Sequence, residues 1–280
     1  MARHVRMSEL LLGVAGLALL RHMYDGTDEA AAARLADVRR VLEDDAFAAG
    51  EPVTEAEPRA GYGLWAERYD EPGNPIVALE EPVVRSFVEA LRPGRALDAA
   101  CGTGRHARYL VDRGHDVVGV DASPEMLRAA RASVPGATFR EADLRDIPAQ
   151  AEEFDVAVCG LALAHLDDLD GAVRELARVL KRGGRLVISV LHPFQVQLGW
   201  HAPFTDARGN RAFVREHPHT HADYLNAFKA AGLQMLGCAE PKLTSTHVRA
   251  KRRAFLHLPD ATMQAYAGLP GVLVWDVEKR

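Results

Sequence analysis

Only three cysteines occur among the 280 residues, and Cys101, Cys159 and Cys238 form no CxxC pair. Neither a disulfide-stapled scaffold nor a zinc ribbon is indicated, and a reducing, cytoplasmic setting is expected. Long apolar runs are also missing. Leu10 to Leu20 spans 11 residues, where roughly 20 are needed to cross a bilayer, so no membrane partner is expected. Arg3, His4 and Arg6 precede that run as they would in a leader, but Glu9 sits at its edge and no small-residue cleavage site follows. The run is read as a helix packed on the main domain. Basic residues are not concentrated: 34 Lys and Arg stand against 39 Asp and Glu. The densest stretch, Arg249 to Arg253, reads as a solvated face, which leaves no footprint for nucleic acid. Internal repeats and low-complexity segments are absent. What remains is the ordinary balance of a globular protein, 48% apolar and 26% charged.

Residues 8–43 read as two helices broken at Asp25-Gly26-Thr27-Asp28, with Leu35, Val38 and Leu42 at helical spacing in the second. Residues 44–60 carry Gly50, Pro52 and Pro58 without periodicity and read as a linker, giving an N-terminal extension over 1–60 and a main domain over 61–280. From Arg95 the chain alternates strand and helix. Strands are expected at 95–100, 116–121, 137–142, 156–161 and 185–191, with helices near 103–113, 124–134 and 169–181 between them. Such alternation predicts a parallel sheet covered on both faces. Residues 192–220 break the pattern and, being rich in His, Phe and Trp, read as a lid insertion after strand five. Thr220 to Asp223 then opens another helix with a capping-box start, and strands at 233–238 and 272–277 finish the chain.

The stretch from Ala96 to Ala107 is a strand running into a Gly-rich turn and a helix. Glycines let a ligand approach the backbone, and the helix start offers free N–H groups. Gly102-Thr103-Gly104-Arg105-His106-Ala107 also satisfies the dinucleotide fingerprint, with Asp121 near the ribose distance, so a nicotinamide-dependent dehydrogenase is one reading. Asp98 argues against it. A carboxylate at the mouth of the turn repels a pyrophosphate and attracts a cationic amino acid moiety.

Asp98, Gly102 and Gly104 resemble motif I of the class I S-adenosylmethionine-dependent methyltransferases, with Ala100 standing where that family usually has Gly. The resemblance extends through Val117 to Asp121, through Glu141 to Leu144, through Cys159 to His165, and through the Leu180 to Ile188 turn and strand. It implies a doubly wound, mostly parallel seven-stranded sheet of Rossmann-like type, and S-adenosylmethionine as cofactor. It further implies that Asp121 accepts the ribose hydroxyls, Met126 packs on the adenine, Asp143 binds the adenine amino group, and Leu161 and His165 lie beside the methyl donor. The same register implies that Ala100, Ala122 and Leu144 line the cofactor, and Tyr69 resembles an aromatic that closes over it.

Ligands of open α/β sheets sit beyond the carboxyl ends of the strands, so the methyl acceptor is expected near the ends of strands four and five. The aromatic insertion points to a small apolar or aromatic acceptor. If a hydroxyl is methylated, a histidine suits the task of general base; His192 is the first choice, then His165, then His219. His217, His219 and His221 alternate in an extended segment, but no completing Cys or Glu is evident and no metal is expected. The rival within the fold is a protein that binds the cofactor without transferring methyl, a cyclase or a regulatory module. The helical pair is expected either to cover the acceptor pocket or to form a homodimer contact.

Overall fold

The computed structural model describes residues 3–280. The N-terminal part runs β1 (Arg3–Arg6), α1 (Met7–Arg21), α2 (Asp28–Glu43), β2 (Gly50–Ala56), α3 (Pro58–Trp65) and α4 (Pro75–Glu89). The alternating part follows as β3 (Arg95–Ala99), α5 (Arg105–Asp112), β4 (Asp116–Asp121), α6 (Pro124–Ser133), β5 (Thr138–Glu141), β6 (Phe154–Gly160), α7 (Leu169–Val179) and β7 (Leu180–Leu191). The last third is α8 (Pro193–Gln197), β8 (Ala202–Thr205), β9 (Arg211–Val214), α9 (His221–Ala230), β10 (Leu233–Ala239), α10 (Ser245–Arg249), α11 (Arg252–Phe255), α12 (Pro259–Tyr266) and β11 (Val272–Lys279).

Seven strands form one sheet in the order β10-β11-β7-β6-β3-β4-β5, and only β11 runs against its neighbours. This is the doubly wound, mostly parallel sheet expected from the alternation. Its strands read as apolar runs because both faces are buried and side chains alternate between them. In β6, Val156 and Val158 enter one core layer while Ala157 and Cys159 enter the other; in β11, Val272 and Val274 oppose Leu273, Trp275 and Val277 in the same way. The strand order reverses at β3, flanked by β4 on one side and β6 on the other, so the crevice for a ligand opens beyond the carboxyl ends of β3 and β6.

The helical pair docks on the main domain. Leu11, Val14, Ala15 and Ala18 of α1 are buried in the same core layer as Ala261 and Ala265 of α12. At the far end of α1, the Arg21 guanidinium donates to the carbonyls of Gln264, Ala265 and Ala267 at 2.8–3.1 Å. Those are orphan carbonyls at the end of α12, and a cation there also opposes the helix dipole. No helix among the described residues is long and apolar enough to cross a membrane.

The segment read as a linker is structured. β2 pairs antiparallel with β1 and parallel with β9, and β8 completes a second sheet, β1-β2-β9-β8. The N-terminal extension and the insertion therefore share one sheet. Gly50–Ala56 is mostly exposed and lacks an apolar alternation, because its strand is defined by backbone pairing to a segment some way along the chain. The helices α4 and α10 to α12 were equally silent in the pattern; α4 carries Pro82 in its interior, and α10 and α11 have five and four residues.

Candidate active site

At the end of β3 the chain makes a tight turn whose backbone departs from ordinary L-residue space. Ala100 has φ +57°, Gly102 +53° and Gly104 +90°. The left-handed region costs a residue with a Cβ about 1–2 kcal/mol, so Ala100 holds a strained conformation at the position where glycine is free of that penalty. Gly104 also brings two helices together: a Cβ there would lie 3.0 Å from Val134 and 3.4 Å from Ala130 on α6.

Two carboxylates frame the turn. Asp121, at the end of β4, accepts the Gly102 and Ser123 N–H groups, each at 2.8 Å, and burial raises its pKa. Ser123 caps α6 by accepting the Met126 N–H, with Pro124 at the first helical position. Asp98 is buried, and its Oδ2 accepts the Ala107 N–H at 2.7 Å while Oδ1 has no partner. Burial pushes the Asp98 pKa up to about 6, against the pull of His106, the Ala107 amide and Arg105. An unpaired buried carboxylate oxygen is costly unless a donor or a cation meets it. The charged amino acid end of S-adenosylmethionine is chemically suited to that need, and the free second lone pairs of Asp121 suit ribose hydroxyls.

The segment 57–71 lies across this turn. Asp70 accepts the Thr103 hydroxyl at 2.9 Å, and the Tyr69 ring comes within 3.9 Å of the Cβ position of Gly102. Burial raises the Tyr69 phenol to about 12, so it is neutral. Beneath it, Glu80 of α4 is fully buried and bonded to Arg105 at 2.6 Å, His106 at 3.0 Å and Ser189 at 2.6 Å. Gly160 makes room for that network, because a Cβ there would meet His106 Nε2 at 2.7 Å.

The other expected cofactor residues are distributed as follows. Ala122 is half-buried beside Asp121, and Met126 and Leu144 are buried. Leu161 directly follows β6 with φ +55°, its N–H donating to the Ser189 carbonyl at 2.8 Å. Asp143 is half-exposed and spends both oxygens on Arg145, whose side chain, at 2.6–2.8 Å, lowers the Asp143 pKa.

The three histidines have different surroundings. His165 is buried, its Nδ1 lies 2.7 Å from the Arg215 carbonyl, and its Nε2 lies 2.7 Å from the Tyr62 hydroxyl. A carbonyl only accepts, so Nδ1 carries the proton and Nε2 accepts from Tyr62. Burial lowers the His165 pKa to about 4, with the Arg215 carbonyl opposing the shift, and leaves the ring neutral. Glu216 stands 3.6 Å from Nε2, and burial raises its pKa to about 8, so it too is neutral. Tyr62 stacks on Trp65, and Trp65 on Phe204 of β8, which makes an aromatic wall that joins α3 to the second sheet.

His192 has the opposite arrangement. Its Nδ1 accepts the Phe194 N–H at 3.1 Å as the cap of α8, so the Nε2 proton points at Glu240, 3.1 Å away. Neither nitrogen offers a free lone pair. His219 commits its Nε2 proton to the Leu166 carbonyl at 2.7 Å. His217 faces Asp167 and His221 faces Glu240, so the alternating trio turns to three different partners. His192, His221 and Glu240 do bring three ligand-type atoms within 4.8 Å of one another. A metal on His192 Nε2 would need the tautomer that the Phe194 N–H opposes. Sequence reasoning missed Tyr62, Glu80 and Glu216, whose significance is entirely in what they touch.

Known proteins resemble this chain in sequence and in fold. Residues 97–188 match a family model described as a methyltransferase domain. A malonyl-[acyl-carrier protein] O-methyltransferase of Enterobacter lignolyticus is 32% identical over 168 residues, 59% of this chain. The chain spans 66% of the length of that relative, just under two thirds. Among solved structures, an S-adenosylmethionine dependent methyltransferase from Mesorhizobium loti is similar with a TM-score of 0.55 and 26% identity, over 71% of this chain and 96% of its own. The [4+2]-cyclase SpnF has a TM-score of 0.57 at 18% identity, over 81% of this chain and 98% of its own, a likeness of fold alone.

Proposed function

We propose, from the premise that this chain belongs to the class I S-adenosylmethionine-dependent methyltransferases, that it moves the methyl group to an oxygen of a small apolar or aromatic molecule. The observation that carries the reading is the aromatic wall of Tyr62, Trp65, Tyr69 and Phe204 beside the neutral His165, reaching from the Gly102 turn to the second sheet. The relative from Enterobacter lignolyticus bears the name of an O-methyltransferase, which favours oxygen as the accepting atom.

Bound cofactor supplies an electrophilic methyl group on a sulfonium, so the protein has to bind, orient and keep water out. Asp98 and Asp121 hold the polar ends of the cofactor, with Ala100, Gly102 and Gly104 giving it backbone access. Tyr69 closes over the turn, tethered through Asp70 to Thr103. Ala122, Met126, Asp143, Leu144 and Leu161 complete the cofactor side; Asp143 would have to share its carboxylate between Arg145 and the adenine. Of the three histidines, His165 is the one whose lone pair faces another titratable side chain on the acceptor side. The unpaired state of Cys101, Cys159 and Cys238 suits a cytoplasmic setting.

Isothermal titration with S-adenosylmethionine, its demethylated product and NAD in separate runs tests the cofactor assignment. Binding of the first two without NAD is expected. Binding of NAD alone would return the Gly-rich turn to the dehydrogenase reading. A protein that binds the cofactor yet transfers label to none of a broad panel of hydroxyl and carboxyl compounds would favour the rival without methyl transfer.

A further inference from the structure

Tyr62 occupies a position that cofactor binding alone does not explain. Its ring meets Tyr69 edge to face at 5.9 Å, on the side of the Gly102 turn, and meets His165 edge to face at 5.4 Å on the other. Its hydroxyl donates to His165 Nε2 at 2.7 Å, and His165 is anchored in turn by Nδ1–H to the Arg215 carbonyl at 2.7 Å. This chain of donors has one direction. The carbonyl fixes the tautomer, the tautomer makes Nε2 the acceptor, and the phenolic oxygen is left with unused lone pairs and no hydrogen of its own to offer. A group that approaches Tyr62 Oη can therefore donate to it and cannot accept from it without breaking the bond to His165. Donors suit such an atom. Carboxylates, which only accept, do not.

Resting on the proposed methyl transfer, we propose that Tyr62 and His165 form a two-step proton relay and that the acceptor is accordingly a neutral hydroxyl compound, phenolic for preference, and not a carboxylate. As the acceptor oxygen forms its new C–O bond, the C–S bond breaks and leaves its pair on sulfur. The acceptor O–H bond breaks as well: its proton passes to Tyr62 Oη while the Tyr62 proton passes to His165 Nε2. The ring then carries the net proton until solvent takes it. The aromatic wall provides the matching surface, since Trp65 and Phe204 stack with centroids 5.5 Å apart beside Tyr62. A carboxylate such as the one implied by the name of the relative is already ionised near neutral pH and has no proton for the relay to take.

Full-length protein labelled with ¹⁵N-histidine and saturated with S-adenosylhomocysteine provides a first test that needs no turnover. NMR should find His165 neutral with its proton on Nδ1, and Tyr62→Phe should keep that tautomer while the Nε2 resonance moves to that of a nitrogen that has lost its donor. A proton on Nε2, or an imidazolium at neutral pH, overturns the relay. Turnover of labelled S-adenosylmethionine with a panel of simple phenols and aromatic carboxylic acids is the second test. Phenols should be preferred, and Tyr62→Phe and His165→Gln should each lower kcat on phenols by roughly 10²–10⁴-fold, the range for a lost general base, with KM little moved. Preference for the acids, or an unchanged phenol rate in Tyr62→Phe, overturns the proposal. Titration of the same samples with S-adenosylmethionine keeps the two readings apart: a wild type that does not bind it fails the methyltransferase reading, whereas binding without the expected tautomer fails the relay alone.

Discussion

Two histidines stand just past the carboxyl ends of neighbouring strands, His165 after β6 and His192 after β7, and they are held in opposite tautomers. At His165 a carbonyl takes the Nδ1 proton and leaves Nε2 open to a phenol. At His192 a backbone N–H points at Nδ1 and commits the Nε2 proton to Glu240. The residue type and the strand-end position are the same. What differs is the second partner of each ring, and that partner decides whether a lone pair is available for chemistry. Burial reinforces the contrast. It holds His165 and Glu216 both neutral, whereas Glu240 is half-exposed and remains a carboxylate, its pKa lowered by hydrogen bonds to His192 and His221.

The sharpest way to break this comparison is to exchange each ring for glutamine. His165→Gln should lower the transfer rate by roughly 10²–10⁴-fold, while His192→Gln should leave the rate intact and cost stability on the scale of a lost helix cap, about 1 kcal/mol. Equal losses of rate in steady-state assays would erase the distinction.

A second probe uses the buried acid beside His165. The Glu216 pKa is raised in the folded state from 4.5 to about 8, so its contribution to stability is fully present below pH 4.5 and is lost as pH rises through 8. Glu216→Gln carries no such dependence. Denaturant titrations should find the variant gaining on the wild type across that window, by on the order of a few kcal/mol at the alkaline end at about 1.4 kcal/mol per pKa unit. A difference that does not change with pH would mean that Glu216 ionises freely in the fold. Gln at this position should leave the His192 cluster undisturbed.

Cofactor binding should be separable from both clusters. Asp121→Ala is expected to weaken S-adenosylmethionine by roughly 1.5–3 kcal/mol, or about 10- to 150-fold by titration calorimetry, the scale of hydrogen bonds to a charged group. Unchanged affinity in a folded variant removes Asp121 from the site. The smallest expected effect tests the strained turn: Ala100→Gly should raise stability by about 1 kcal/mol, seen as a higher Tm, because glycine has no Cβ penalty at φ +57°. A lower Tm would mean that the gain in unfolded-chain entropy outweighs the relief of strain.

The geometry of the Gly-rich turn was legible because its signals are local. Asp98, Gly102, Gly104 and Asp121 lie within one strand–turn–helix–strand passage, and the glycines are demanded by φ values that the turn itself imposes. The Thr220 capping box was equally plain, and it forms as expected with Asp223. The acceptor side was not legible. His192 reads as the better base because it directly follows a strand, yet its role as cap of α8 depends on a five-residue helix that no periodicity announces. Asp143 reads as free for adenine, and its pairing with Arg145 shows only in the folded turn.

The sequence by itself determined the alternation of strand and helix, the parallel sheet with its buried apolar strands, the Gly-rich turn and the two carboxylates that frame it. Each of these follows from neighbours in the chain, through side-chain period, backbone freedom and capping. Tertiary structure alone decided that the supposed linker joins the insertion in a second sheet, that α3 carries Tyr62 to within 2.7 Å of His165, and which nitrogen of each histidine keeps its proton. Those outcomes rest on partners far apart in sequence, 103 residues in the case of Tyr62 and His165, and a hydrogen bond between them leaves no periodic trace in either segment.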